Sequence, residues 1–257
     1  MISVLIHSGT QNLGDAIQTV ALCQVLGCQC WGVYRDSIDS AVSDDLLIAN
    51  GWLGHGPPRL GFRNVIFAGV HLGLRVDEYL EWMRGSGRDI GARDPYTLEI
   101  LGNAGISSQL VGCATLALNR YRGARRNSYS VDVPQRPGTI PLTNGIGPMS
   151  WEQQWNFACA RLDQLRQAEL VYTNRLHIAL PCLAFGTPVV FPSSELKNAM
   201  WPGRLTLLEA IGFPFDEAVE MDVSAHRDRY IGFLEKHADL KLTPSDAALP
   251  PIPQGRP

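Results

Sequence analysis

Short apolar runs and longer segments with helical spacing alternate along the chain. The first thirty residues contain an apolar run at 3–7, a glycine-containing loop at 9–14, and then apolar residues three or four apart. Those residues are Ile17, Val20, Ala21 and Val25. This order predicts a strand, a turn and a helix, which is half of a βαβ unit.

Similar apolar runs recur through most of the chain. They predict strands at residues 31–34, 64–68, 90–92, 108–118, 128–133, 139–142, 169–173 and 188–192. Helices are predicted at residues 96–103, where Pro95 suits the first turn, and at residues 151–167. Strands that alternate with helices are typical of parallel sheets covered by helices, so the predicted fold class is α/β.

A polar, arginine-rich stretch at residues 119–127 separates the two series of strands. It is the predicted linker between two Rossmann-like domains, residues 1–118 and residues 128–242, while the proline-rich residues 243–257 are expected to be a disordered tail. Domains of this kind that face each other bring the carboxyl ends of both sheets to one central cleft, where ligands bind.

Length, composition and net charge exclude several classes of protein. With 257 residues, 45% of them hydrophobic and 18% charged, the chain can bury one large core or two modest ones, which excludes disordered and fibrous classes. A net charge of -3 gives no field that would favour nucleic acid. We expect a cytoplasmic protein, because the start lacks a signal-peptide pattern and no apolar stretch approaches the ~18 residues of a membrane span.

The arginine cluster and the six cysteines indicate no specific function. Arg120, Arg122, Arg125 and Arg126 form one basic cluster, which allows at most peripheral membrane contact. The six cysteines lie in apolar surroundings and are interpreted as reduced core thiols, and no structural metal is predicted. The sequence leaves the oligomeric state open.

The strongest candidate for a functional site is the strand-to-helix turn within residues 170–186. An apolar strand leads to Asn174, a good helix N-cap, and an apolar helix then runs to a terminating Gly186, which places Arg175 and His177 in the first turn. Free backbone N–H groups and a guanidinium there favour an anion. In the alternative interpretation, Arg175 pairs with a neighbouring acid and His177 packs in the core. Pro181 is expected to open or kink the turn at His177.

Two corners in the first half are further candidates. Asn12, Gly14 and Asp15 follow the first strand, where glycine permits close approach and the carboxylate either accepts hydrogen bonds from hydroxyls or caps the helix. No nucleotide-binding fingerprint is complete there. Arg93 can supply a second positive charge, and Asp94 is expected to cap the following helix. Four tryptophans offer sugar-stacking surfaces or core packing: Trp52, Trp151, Trp155 and Trp201.

Four blocks together resemble the polysaccharide pyruvyl transferase family. They are N-L-G-D-A-I-Q at residues 12–18, G-A-R-D at 91–94, V-G-C-A-T-L at 111–116 and R-L-H-I-A-L-P-C-L-A-F-G-T-P at 175–188, and their order and spacing match over about residues 3–192. Cys113 stands where an aspartate often precedes the domain crossover, which leaves the acceptor open.

The resemblance implies a shortened GT-B-like fold, with an acceptor-side first domain and a donor-side second domain. It implies transfer of the pyruvyl group of phosphoenolpyruvate to hydroxyls of a free or lipid-linked sugar, as a ketal, with release of phosphate and without metal or nucleotide. Arg175 and Arg93 then hold the donor, His177 is the general acid with a pKa near neutrality, and Asp15 serves the acceptor.

Two other functions stay open from the sequence. A glycosyltransferase on the same scaffold would use a sugar nucleotide, with Glu195 and Lys197 near the diphosphate. A glycan-binding protein would keep the cleft without catalysis.

Overall fold

The structure is a computed structural model of the chain, and it describes residues 1–7, 10–35, 45–54, 64–197, 202–242 and 251–255. Within these ranges the protein is an α/β fold with two parallel sheets. The predicted fold class, two Rossmann-like units in a GT-B-like arrangement, is confirmed.

The first sheet has seven strands in the order β11-β2-β1-β3-β4-β5-β6, all parallel. Its strands are β1 (Ile2–Ile6), β2 (Trp31–Tyr34), β3 (Leu46–Leu53), β4 (Val65–Leu72), β5 (Ile90–Ala92), β6 (Ser108–Leu110) and β11 (Gln254–Gly255). Three helices connect them: α1 (Leu13–Leu26), α2 (Val76–Gly85) and α3 (Pro95–Asn103). A predicted strand at 108–118 is too long, because residues Ala114–Ala117 form a 3-10 helix.

The second sheet has four parallel strands in the order β10-β9-β7-β8. They are β7 (Ser128–Val131), β8 (Ile140–Leu142), β9 (Leu170–Thr173) and β10 (Val189–Val190). The helices of this half are α4 (Trp151–Arg166), α5 (Leu176–Phe185) and the short α6 (Thr206–Ala210). Helix α4 begins with a capping box formed by Ser150 and Gln153.

Helix α1 joins the two halves. It is buried on nearly all sides, because it packs on β1 and β3 with one face and on α4 and α5 with another. Side chains from both halves therefore belong to one continuous core, while a separate core lies between the other face of the first sheet and helices α2 and α3.

The last helix, α7 (Ser224–Ala238), returns to the first sheet although it follows the second in sequence. The hydroxyl of its buried Tyr230 donates to the carbonyl of Ala68 at 3.2 Å. Farther on, Gln254 and Gly255 pair with β2. This strand differs from the expected disordered tail, because β2 offers an open edge for pairing; residues 243–250 lie outside the described residues. The proposed division at residues 118 and 128 stays a prediction.

Two arginines of the arginine-rich stretch at residues 119–127 contact residues of the second half. Arg125 donates to the carbonyls of Phe185 and Gly186 at the end of α5 and to Thr187 Oγ1. Arg120 forms an ion pair with Glu220. None of the helices that the structure describes is long and apolar enough to cross a membrane.

Candidate functional site

A cavity of about 360 Å³ lies between the two halves, at the carboxyl ends of their strands. Its volume lies in the range of small-molecule sites. Both halves contribute to its lining, which consists of Thr10, Asn12, Asp15, Trp52, His71 and Arg93 from the first and Asn144, Arg175, Leu176, His177 and Arg204 from the second. The sequence-predicted Arg93, Arg175, His177, Asp15 and Asn12 thus lie around one space.

The start of α5 differs by one residue from the prediction. Asn174 was expected as the N-cap, but Arg175 takes that position with φ -103° and ψ 119°, and the helix begins at Leu176. The reason is local: Thr173 Oγ1 accepts the N–H of Arg175 at 3.0 Å and holds that residue extended. Asn174 instead donates to Glu195 at 3.4 Å, and its buried Oδ1 has no hydrogen-bond partner within the described part of the chain.

His177 lies at an irregular turn, as expected from Pro181. Its φ of -81° and ψ of 17° are not helical, and Pro181, four residues later, has no N–H to offer to its carbonyl. The imidazole packs against Gly14, where a Cβ atom would stand only 3.1 Å from His177 Nδ1. Its buried Nε2 has no hydrogen-bond partner among the described residues, and His177 is one of the residues that line the cavity.

The protonation of His177 differs from the sequence expectation. Burial, and next the positive charge of Arg93, lower the pKa of His177 to about 3, against the opposing charge of Asp15. His71 and Arg204 act in the same direction as Arg93. A pKa near neutrality is therefore wrong for this structure, in which His177 is a neutral imidazole.

Arg175 combines the two interpretations that the sequence left open. Its Nε donates to Asp132 Oδ2 at 2.7 Å, so it does pair with an acid. Its side chain is 44% exposed and also lines the cavity. Asp132 is fixed in turn, since its carboxylate accepts the Asn144 N–H and the Thr143 hydroxyl.

The corner between β5 and α3 holds a compact polar cluster. Arg93 Nε donates to Asp94 Oδ2 at 2.9 Å, and the same oxygen lies 2.7 Å from His71 Nδ1. Asp94 Oδ1 accepts the N–H of Thr97, which confirms the predicted cap of α3. All of these side chains are buried. Among the described residues, the terminal nitrogens of Arg93 and Nε2 of His71 have no hydrogen-bond partner, and both residues line the cavity.

The charges in this cluster are set by its contacts. Burial opposes ionisation of Asp94, but Arg93, His71 and the Thr97 N–H outweigh it and lower the pKa of Asp94 to about 2. Burial and then Arg93 lower the pKa of His71, despite Asp94. The cluster therefore presents a fixed cation and a neutral imidazole to the cavity.

At the start of α1, Asn12 caps the helix and Asp15 supplies a carboxylate. Asn12 caps α1 by accepting the N–H of Gly14, and it also accepts from Asn144 of the second half at 3.0 Å. Asp15 does not cap the helix; it accepts from Thr10 at 3.0 Å and lies 3.5 Å from Arg35. Burial raises the pKa of Asp15, but the charges of His7 and Arg35 outweigh it, so the pKa lies below the ordinary value.

The tryptophans divide between the cavity and the core. Trp52 lines the cavity, while Trp151 and Trp155 are buried in the core. Trp201 lies outside the described residues.

The sequence interpretation missed His71, Arg204 and Asn144 as cavity residues. His71 follows an apolar strand at its carboxyl end, a position that marks the cleft side of a parallel sheet. Arg204 lies in a loop before α6, and Asn144 in a loop after β8, and neither loop has a periodic pattern. Only the position of His71 carried a usable signal.

Comparison with known proteins supports the fold. No family model and no curated protein matches the chain. The solved structure of an uncharacterised protein from Klebsiella pneumoniae is similar, with a TM-score of 0.51 and 16% identity over 86% of this chain and 93% of that chain. At this identity the similarity shows the fold alone.

Two further solved structures have TM-scores below 0.5. One is described as a UDP-N-acetylglucosamine 2-epimerase from Listeria monocytogenes, with a TM-score of 0.44 and 11% identity over 97% of this chain and 91% of that chain. The other is the wall teichoic acid polymerase TagF, with a TM-score of 0.37 and 9% identity over 91% of this chain and 83% of that chain. Neither bears on the activity of this chain.

Proposed function

We propose that this chain is a pyruvyl transferase that moves the pyruvyl group of phosphoenolpyruvate onto hydroxyls of a sugar, free or lipid-linked, and releases phosphate. The observation that carries the proposal is the position of His177 in the lining of a cavity that it shares with three arginines, with an Nε2 that has no hydrogen-bond partner in the described part of the chain. The four sequence blocks that resemble the polysaccharide pyruvyl transferase family supply most of these residues.

The cavity suits a small donor with a carboxylate and a phosphate. Arg93 and Arg175 each keep N–H groups for a ligand, because within the described ranges an acid occupies only the Nε of each. The amino end of α5 adds backbone N–H groups and the positive end of a helix dipole. Guanidinium groups bind both anions in bidentate geometry, so the donor can be held at its two ends.

In this proposal His177 donates the proton that starts the reaction. Its pKa of about 3 makes it neutral in the structure, but a bound donor with two or three negative charges raises that pKa and favours the imidazolium. Nε2 then protonates C3 of phosphoenolpyruvate, and the cation at C2 is captured by a sugar hydroxyl, which gives up its proton. Departure of phosphate and attack of a second hydroxyl complete the ketal.

On the acceptor side, Asp15 and His71 have different tasks. Asp15 stays ionised with a low pKa, so it is a weak base that accepts a hydrogen bond and orients a hydroxyl. His71 is neutral and its Nδ1 lies against Asp94, which leaves Nε2 to take the hydroxyl proton. Asn12 supports the corner through its bonds to Gly14 and Asn144.

A sugar nucleotide is a less suitable donor for this cavity. Glu195 was a candidate for the diphosphate region, but its carboxylate is engaged by Arg204 and Asn174. Lys197 is exposed and is not part of the cavity lining.

The test is release of phosphate from phosphoenolpyruvate by the purified protein in the presence of a panel of glycan acceptors. We expect His177→Gln to lower kcat by about 100- to 10,000-fold, since proton transfer by a positioned side chain contributes that much. His226→Gln changes a histidine of α7 outside the cavity lining and is the matched control, with parental kcat.

Each result has a distinct meaning. Full activity of His177→Gln would remove His177 as the acid. Turnover of sugar nucleotides alone would replace pyruvyl transfer by glycosyl transfer. Glycan binding without turnover of any donor would favour a non-catalytic protein.

A further inference from the structure

Arg204 enters the cavity from a part of the chain that no sequence block covers. It precedes α6 in the second half, and its side chain is 23% exposed, half as much as that of Arg175 at 44%. It lines the cavity together with His177. Its position is therefore more enclosed than that of the arginine that the sequence singled out.

Among the described residues, the hydrogen bonds of the Arg204 guanidinium are both donated by one nitrogen, Nη2. Nη2 donates to Glu195 Oε2 at 2.9 Å and to the carbonyl of Asn174 at 3.2 Å. In the described part of the chain, Nε and Nη1 have no hydrogen-bond partner. These nitrogens carry three N–H groups, which stay available to an anion.

The backbone next to Arg204 is fixed by the other half of the molecule. Gly203 has φ +70°, and a Cβ atom there would lie 2.2 Å from the ring of Tyr96 in α3. Only glycine allows this approach, which seats the Arg204 loop on the first half. The Tyr96 ring also lies 5.7 Å from the ring of His71, between their centroids. The loop is thus tied to the same corner that carries Arg93.

The charges around the cavity favour one end for a dianion. Asp15 is an ionised carboxylate on the first-half side, and it repels a phosphate there. Arg204 and Arg175 lie close enough for their charges to interact, beside the start of α5. Two guanidinium groups and the positive end of the α5 helix therefore lie together on the second-half side.

We propose that Arg204 binds the phosphate group of a phosphorylated substrate and that Glu195 is a positioning residue that holds the guanidinium toward the cavity. The identity of that substrate as phosphoenolpyruvate rests on the proposed function. With phosphate at Arg204 and Arg175, the carboxylate of the donor lies at Arg93, and C3 lies within reach of His177. Arg204 also stabilises the charge on the departing phosphate.

Calorimetric titration of the purified protein with inorganic phosphate, and separately with phosphoenolpyruvate, tests this assignment. We expect Arg204→Gln to weaken both affinities by about 10- to 100-fold, as is typical for loss of charge-assisted hydrogen bonds. Arg166→Gln is the matched control, because Arg166 is also paired with an acid, Asp163, but lies outside the cavity. It should bind both ligands like the parent.

A second variant, Glu195→Gln, is expected to change the affinity for phosphate in the opposite direction. The amide oxygen still accepts a hydrogen bond from Arg204, but the competing negative charge is gone, so phosphate should bind about 3- to 10-fold more tightly. Phosphate affinities unchanged in both variants would overturn the assignment. An unchanged or weaker affinity in Glu195→Gln alone would remove Glu195 from it.

Catalytic measurements separate this inference from the proposed function. If Arg204→Gln loses phosphate binding while the parent never turns over phosphoenolpyruvate, the phosphate site stands and pyruvyl transfer fails. If Arg204→Gln turns over phosphoenolpyruvate with the parental KM, pyruvyl transfer stands and the role of Arg204 is wrong.

Discussion

At the scale of single residues, His177 is the point where the charges of both halves meet. Asp15, His71 and Arg93 act on it from the first half, and Arg204 acts from the second. Burial, together with the positive charges of Arg93 and Arg204, outweighs the carboxylate and lowers the pKa of His177, so the imidazole is neutral. In the proposed function, a bound anion raises the pKa of His177 and so couples anion binding with proton uptake at this residue.

The depressed pKa of His177 also makes a prediction about stability. The folded pKa is about 3 and the ordinary value is 6.5, so between these values the folded protein binds fewer protons than the unfolded chain. The free energy of unfolding is therefore full above about pH 6.5 and falls as the pH is lowered, with a slope of up to about 1.4 kcal/mol per pH unit for one proton. We expect His177→Gln to flatten this slope between about pH 4 and 6.5.

Urea unfolding at a series of pH values measures this effect. Asp15 and Asp94 contribute to the slope at the lower end of this window, and His71 also contributes within it, but these groups are present in both proteins, so the difference between the two slopes reports His177. Equal slopes for the parent and His177→Gln would show that His177 is not a buried neutral group.

Sequence reasoning reached some of these residues and not others. Arg175 and His177 were found because a strand, a turn and an apolar helix fix their place, and Arg93 because a proline-started helix follows it. His71, the seventh residue of the buried strand β4, was missed, since only its place near the carboxyl end of the strand, and no periodic pattern, indicated a function. Arg204 was missed because long-range contacts alone bring its loop to the cavity.

At the scale of elements, the site depends on the contact between the starts of α1 and α5. Gly14 in the first turn of α1 lies against the ring of His177 in the first turn of α5. A side chain at position 14 would meet Asn12 Oδ1 and His177 Nδ1, both at 3.1 Å. The glycine therefore sets the distance between the two helices at His177.

Replacement of Gly14 by alanine should separate activity from stability. The added methyl group displaces His177 by a few tenths of an ångström, and we expect about a tenfold lower kcat, with the free energy of unfolding changed by about 1 kcal/mol or less. Steady-state kinetics and thermal unfolding measure the two quantities.

Gly102→Ala is the matched control for this variant. Gly102 lies in α3 and no atom would lie within 4 Å of its added Cβ, so the helix should gain about 0.5–1 kcal/mol without a change in kcat. Parental turnover by Gly14→Ala would contradict the role of this helix contact.

Strands and helices with a regular apolar pattern were predicted from the sequence. Those whose apolar pattern is interrupted, or whose sequence is largely polar, were not. Strand β3 was missed because Asn50 and Gly51 interrupt its apolar run; Gly51 adopts φ +86° at a register shift against β4. Helix α7 was missed because its sequence is largely polar and only Tyr230, Phe233 and Leu234 are buried. In both cases tertiary contacts decide the structure.

At the scale of the whole molecule, the two sheets form one cavity because several parts of the chain cross between the halves. Helix α1 packs on both halves, α7 returns to the first sheet, and the loop at residues 144–146 pairs with residues 11–13. These contacts explain why the residues that line the cavity come from distant segments. Local patterns predict the two sheets, but they do not contain this assembly.

The measurement that tests the central claim most directly is the reaction of phosphoenolpyruvate with a glycan acceptor in D₂O, followed by NMR. A proton delivered to C3 by His177 exchanges with solvent. We predict one phosphate released for each ketal formed and one deuterium in the new methyl group. Phosphate released without a ketal, or phosphoenolpyruvate left intact while a sugar nucleotide is consumed, would contradict pyruvyl transfer.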